Sequence, residues 1–337
     1  VSPFRAAYSY TGYNYVLNDN GQLKRYGSQE SDFLNDVITN KATNFIRTAQ
    51  EPFFLELSTY SPHKPAPVAE RNRNKQGGTV APRNPTYNAF GVDEPSWQKD
   101  KQALGPKVLA KADQQWRKRA KSAESVADSV DAVMATLKAT GRDANTLVVV
   151  TSDNGYHMAE RRMFKGKRTP YASDTVVPMI VIGPGVPAGV RVSDMTSTID
   201  LAPTFTDLLG GVTPTWVDGR SIRSFLDTGT APENWRDAAL SESLGISTPE
   251  DPDYQKNAPP QYFALRTPQW LYVEYKDGSR TLYNRETDPY ELVNLIKTAD
   301  PLLLASLSQQ LKQLSTCAGD TCRTADTFEL PQQIVTN

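Results

Sequence analysis

Residues Leu147–Gly185 read LVVVTSDNGYHMAERRMFKGKRTPYASDTVVPMIVIGPG. Two apolar runs, TLVVVTS from Thr146 and VVPMIVIG from Val176, bracket Asp153-Asn154-Gly155 and a basic cluster of Arg161, Arg162, Lys165, Lys167 and Arg168. A run that is apolar at both parities predicts a strand covered on both faces, central in a parallel sheet with helices on either side. In open α/β sheets ligands bind beyond the carboxyl ends of the strands, where Asp153 and Asn154 fall. A carboxylate beside a carboxamide oxygen offers two hard donors, suited to Ca2+ or Mg2+ and poorly suited to zinc. Gly155 lets the backbone turn away at once. Taken alone, Asp-Asn-Gly is also a common turn. The apolar strand before it and the basic cluster after it favour a site for an anionic ester.

Outward from this stretch the chain alternates strand-like and helical patterns, which indicates an α/β fold. Upstream, Phe33, Leu34, Val37, Ile38, Phe45 and Ile46 recur at helical spacing after Ser31 or Asp32 as N-cap. PFFLELSTY (52–60) reads as a buried strand that stops at SPHKPAP, whose prolines hold His63 in an extended loop. A histidine at a strand's carboxyl end is a potential proton donor. The polar, Pro- and Asn-rich stretch 66–109 reads as a long surface excursion. Val126, Val130, Val133, Met134 and Leu137 then form one stripe of a helix closed by Gly141. Downstream, Leu201, Phe205, Leu208 and Leu209 are expected to face the core. Composition changes within 226–235, giving two domains, 1–230 and 231–337. The second reads as a small antiparallel sheet, with a turn at KDGSR, covered by one helix that starts near Pro301.

The 337 residues carry 37 basic and 38 acidic side chains and a mean hydropathy of −0.52. No basic arm points to nucleic acid, and no apolar stretch approaches the roughly 18–20 residues of a membrane span. The N-terminus carries no signal-peptide pattern and no initiating Met, and resembles the middle of something longer. Cys317 and Cys322 predict a local disulfide, against the alternative of two free thiols. A disulfide without any Asn-x-Ser/Thr sequon leans towards a bacterial exported protein, secreted or periplasmic.

Five segments in order, PFFLELSTYSPHKP, TSDNGYH, KGKRTPY with VPMIVIGPG, IDLAPTFTDLLG and LYNRETDPYELVNL, resemble a sulfatase of the alkaline-phosphatase-like superfamily. RNP, WRKRAKSAESVADSV and LSTCAGDTCRT resemble its N-acetylglucosamine-6-sulfatase group. The resemblance implies a large mixed, mostly parallel sheet between helices plus the small C-terminal sheet. It implies Asp153 and Asn154 as calcium ligands and Lys167 as the residue holding sulfate near its leaving oxygen, with Lys165 the fallback. His63 would contact sulfate and protonate the departing alkoxide, and His157 would line the pocket. The substrate would be a sulfated sugar, 6-O-sulfated N-acetylglucosamine foremost. The family's nucleophile, a hydrated formylglycine made within Cys/Ser-x-Pro-x-Arg, has no counterpart: VSPFR at the start is one residue short. The nucleophile is therefore expected on a missing N-terminal portion or a partner, and the isolated chain is expected to be inactive. A phosphoesterase of the same superfamily and a non-catalytic glycan-binding fragment are the alternatives.

Overall fold

The computed structural model describes residues 2–3, 9–245 and 258–327. They fall into two units, Val1–Pro82 with Gly105–Leu147, and Arg83–Leu104 with Val148–Asn337.

In the first unit β1 (Ser2–Pro3), β2 (Val16–Asp19) and β3 (Gln22–Arg25) form an antiparallel sheet in that order. Asn20 and Gly21 turn β2 into β3 with φ of 54° and 88°, the pair of positive angles that matches the twist of a two-residue hairpin. Helix α1 (Leu34–Thr48) follows a 3-10 turn at Glu30–Asp32, so Phe33 rather than Ser31 or Asp32 is its N-cap. Leu34 and Val37 bury against Tyr15 and Leu17. Helix α2 (Pro106–Ala139) meets α1 through a polar seam: Asn35 Nδ2 donates to Ser125 O and Ser129 Oγ, both at 2.7 Å, and Ser129 Oγ lies 2.7 Å from Thr39 Oγ1. Of the expected apolar stripe of α2 only Leu137 is buried; Ala112, Ser122, Ser125, Ser129 and Thr136 take the other inner positions. The stretch 52–60 forms no strand and Phe54 is 62 % exposed.

The second unit contains β4 (Val148–Thr151), a single helical turn α3 (Ala172–Thr175), β5 (Met179–Ile182), α4 (Leu201–Leu208) and α5 (Arg223–Thr228). It continues with β6 (Ala239–Ser243), β7 (Tyr262–Arg266), β8 (Trp270–Tyr275), β9 (Arg280–Asn284), α6 (Pro301–Thr316) and α7 (Asp320–Ala325). The expected large, mostly parallel sheet is overturned: every strand pairing among the described residues is antiparallel, in three sheets of three, two and four strands. The two apolar runs of the opening stretch pair with each other, Val148 opposite Ile182 and Thr151 opposite Met179. A parallel return needs a crossover that lays a helix over the sheet. Here the link from Ser152 to Pro178 folds back on itself through a bridge between His157 and Gly166 and delivers β5 in the opposite direction. The expectation that both runs are buried strands fails too: Val148, Val149 and Val150 are half-buried, and Ile180 and Ile182 are 55 % and 41 % exposed. Leu208 and Leu209, expected inside, are 36 % and 66 % exposed.

The four-stranded sheet, in order β6-β7-β8-β9, is what holds the rest of this unit. Side chains alternate across a strand, so Trp270 and Tyr272 face one side while Leu271, Val273 and Tyr275 face the other. On the first side Leu303, Leu307, Leu311 and Leu314 of α6 cover it. Asp300 caps that helix by accepting Leu302 N at 2.8 Å, with Pro301 at its first position. On the second side the cover is Met163 and Tyr171, from the middle of the opening stretch. The Cys317–Cys322 disulfide joins α6 to α7. No helix among the described residues is long and apolar enough to cross a membrane.

Asp200, wholly buried, receives Arg236 in a two-pronged pair at 2.7 and 2.9 Å and also accepts from Arg220 N and Ser197 N. Without Asp200 the buried Arg236 keeps only Asp326, 3.2 Å from its Nε, so Asp200→Ala is expected to lower unfolding free energy by about 3 kcal/mol in urea titrations, the low end for breaking a buried pair.

Candidate active site

Asp153 and Asn154 follow β4 directly, Asp153 exposed and Asn154 half-buried. Asn154 Nδ2 donates to Gly155 O at 2.8 Å, which leaves the amide oxygen as its acceptor atom. Gly155 N donates to Asp174 O at 2.9 Å. A Cβ on Gly155 would stand 2.0 Å from Ser173 O. The glycine is required here by close approach of two backbones.

Two residues on, His157 is wholly buried, and its Nδ1 lies 3.1 Å from both oxygens of Asp174. A carboxylate accepts, so Nδ1 carries the proton. Nε2 is buried and has no hydrogen-bond partner among the described residues. Asp174 also accepts from Thr169 N at 2.9 Å, Thr169 Oγ1 at 2.7 Å and Ser173 Oγ at 3.1 Å. His157 and Gly166 exchange backbone hydrogen bonds at 2.8 and 3.1 Å. Lys165 and Lys167, both half-buried, therefore ride on a loop pinned at Gly166 and at Thr169.

The basic cluster divides. Arg161 is 2 % exposed, paired with Glu94 at 3.0 Å, donating to the carbonyls of Tyr290 and Glu291, and lying 3.6 Å over the Tyr171 ring. It is a structural cation, unavailable to a substrate anion. Glu291 in turn pairs with Arg266 at 2.8 Å and accepts Ala172 N at 3.1 Å. Arg162 donates to Lys101 O at 3.0 Å and covers Phe90. Thus the stretch 83–104, expected as a surface excursion, supplies buried partners to the site segment.

His63 belongs to the first unit. It is half-buried, with its ring 4.6 Å from that of Tyr10, and its Nδ1 lies 2.8 Å from Lys64 O. A carbonyl only accepts, so this Nδ1 also carries its proton. The second unit brings Asp153, Asn154, His157, Lys165 and Lys167 together on one segment. Sequence reading missed Asp174, Glu94 and Glu291: nothing local announces a partner 17 residues away from His157.

For a hard cation, Asp153 and Asn154 have the right donor chemistry, and Asn154's amide is already oriented by its own Nδ2 bond. Ca2+ takes six to eight oxygens, whereas no group of three or more His, Cys, Asp or Glu gathers as a metal site among the described residues. By donor chemistry the pair fits part of such a ligand set, which further oxygens would have to complete.

With this geometry in place, comparison defines the class: the chain belongs to the sulfatase family, whose family model matches residues 3–212. A second model, N-sulphoglucosamine sulphohydrolase, C-terminal, matches residues 159–317. Within the alkaline-phosphatase-like sulfatases it is related to N-acetylglucosamine-6-sulfatase-like enzymes. The N-acetylglucosamine-6-sulfatases of Capra hircus and Homo sapiens are 32 % and 31 % identical to it, each over 94 % of this chain and 62 % of the relative. The chain thus spans less than two thirds of the length of these curated relatives. Its fold is shared with a protein solved in complex with its substrate D-glucosamine-2-N,6-O-disulfate, at TM-score 0.76 and 19 % identity over 94 % of this chain and 74 % of that one. A phosphonate monoester hydrolase from Silicibacter pomeroyi superposes at TM-score 0.65 with 26 % identity, over 86 % of this chain and 60 % of that one.

Gly155→Ala is expected to destabilise the chain by about 1–3 kcal/mol, the usual range for overpacking, read as a lowered urea midpoint. In the Arg161 region, burial lowers the Lys101 amine to about 8, with Glu94 opposing and Arg161 reinforcing the shift. The unfolded chain then binds the extra proton between about 8 and 10.5, so this lysine makes stability rise with pH across that window. Lys101→Met is expected to remove that part of the slope in denaturation curves compared at successive pH values.

Proposed function

We propose that the chain is part of an enzyme that hydrolyses a sulfate ester on a glucosamine-type sugar, 6-O-sulfated N-acetylglucosamine foremost. The observation that carries this is the relationship along 94 % of the chain to proteins named N-acetylglucosamine-6-sulfatase. In this reading residues 1–230 form the catalytic domain and 231–337 a C-terminal subdomain. Lys167 holds a sulfate oxygen, where a fixed positive charge stabilises charge developing towards the leaving oxygen. His63 passes a proton to the departing sugar alkoxide; with Nδ1 bound to Lys64 O, Nε2 is the nitrogen that exchanges. His157 and Lys165 line the sugar–sulfate pocket. Asp153 and Asn154 hold Ca2+, or Mg2+, which when bound withdraws charge from the ester oxygens.

The 337 residues contain no Cys/Ser-x-Pro-x-Arg segment. We place the nucleophile, a formylglycine, on a portion of the same protein outside this sequence, so that these residues alone bind and orient substrate without turning it over. The disulfide supports an oxidising compartment, secreted or periplasmic. The likeness to a phosphonate monoester hydrolase supports a second reading, phosphoester or phosphonate hydrolysis at the same site.

The native protein, isolated from its source, decides between them. Release of sulfate from N-acetylglucosamine-6-sulfate is expected, with loss of about 100-fold or more on Lys167→Ala, since removal of one charge-stabilising donor costs about 100- to 1,000-fold. Phosphate-ester or phosphonate turnover with no sulfate release would establish the second reading instead.

A further inference from the structure

His157 and Asp174 stand at the crossing of everything the site segment carries. One bond from Asp174, O to Gly155 N at 2.9 Å, fixes the residue immediately after Asn154. Two more, from its Oδ2 to Thr169 N and Oγ1, fix the backbone two residues after Lys167. The residue before Lys167, Gly166, is paired with the His157 backbone, and the His157 ring closes the circuit on Asp174 at 3.1 Å. The absence of a side chain at Gly155 is what lets this contact form, because Ser173 O occupies the place of its Cβ. Asp174 itself is 4 % exposed and His157 fully enclosed, so neither is a surface charge that happens to lie nearby.

From this arrangement we infer that Asp174 is a positioning residue that sets two site elements with one carboxylate and its own carbonyl: the Asp153–Asn154 oxygen pair and the Lys167 ammonium. It acts through His157, whose proton it holds on Nδ1, and through Thr169. Fixing both from a single buried residue sets the distance between the cation-binding oxygens and the sulfate-holding lysine, which is the separation a bridging sulfate must span. The assignment rests on the functional reading above for the identity of the two ligands; the proton placement does not depend on it.

Two measurements on the 337-residue chain test it. The chain has only two histidines, so imidazole 15N spectra contain two rings, assigned by His63→Gln. His157 is expected to carry a slowly exchanging proton on Nδ1; a proton on Nε2 with a bare Nδ1 overturns the inference. Calcium alone and N-acetylglucosamine-6-sulfate alone are then titrated calorimetrically. Asp153→Asn should weaken calcium only, and Lys167→Ala the sugar only. Asp174→Asn keeps the main-chain bond to Gly155 but loses the carboxylate's hold on the His157 ring, three residues after Asn154, and on Thr169, two after Lys167; it should weaken both, each by about tenfold, the lower end of what loss of an outer partner costs a bound metal. Loss of one affinity alone, or of neither, overturns the inference. Thr169→Val, which removes one donor to the carboxylate and keeps its charge, should give a smaller loss in both titrations and serves if Asp174→Asn does not fold. Wild-type chain that binds neither ligand counts against the functional reading, and the proton position on His157 then decides the inference by itself.

Discussion

A guanidinium shut away from water is tolerated only where every one of its needs is met by the protein. Arg161 is such a group. Glu94 supplies its counter-charge, the Tyr290 and Glu291 carbonyls accept its N–H groups, and the Tyr171 and Tyr283 rings cover its faces at 3.6 and 5.4 Å. Three stretches far apart in sequence are thereby bound to one charge: the 83–104 loop, the site segment and the end of the four-stranded sheet. Loss of any one would strand a buried ion at a cost of several kcal/mol. The placement of the site segment on the sheet follows from that constraint more than from apolar contact, since Met163 and Tyr171 are the segment's buried members of the core on that face.

The alternation of β7, β8 and β9 gives that arrangement its floor. One face belongs to the leucines of α6 and the other to the site segment. A strand with large apolar residues at both parities needs two covers, and the two covers here differ in kind. The helix contributes area. The segment contributes a folded loop that carries Asp153, which is exposed, and Lys167, which is half-buried.

How much of this could be read beforehand depends on how local each signal is. The C-terminal sheet was legible because KDGSR, the apolar runs and the Pro301 start of α6 each act over a few residues. The placement of Asp153 and Asn154 directly after a strand was legible for the same reason. Strand direction was not: LVVV and MIVI carry the same apolar signal whether they run parallel or antiparallel, and the direction is set by how residues 152–178 fold between them. PFFLELSTY shows the complementary failure: its strand propensity meets no strand pairing among the described residues. Asp174 and Glu94 were invisible because a buried carboxylate is defined by what surrounds it, and neither YASDT nor polar GVDEP announces those surroundings.

The polar seam between α1 and α2 has a consequence for how those helices meet. Apolar ridges can slide by a turn and still exclude water, so a leucine seam tolerates several alignments. Asn35 does not have that freedom, because its amide needs Ser125 O and Ser129 Oγ at 2.7 Å each. Sliding α1 by one turn towards the C-terminus of α2 would put that amide, with Thr39, opposite Val133 in place of Ser129, inside a buried seam. The helices are therefore keyed rather than merely glued: the serines of α2, which contribute little area, restrict its alignment with α1 to those that meet the Asn35 amide.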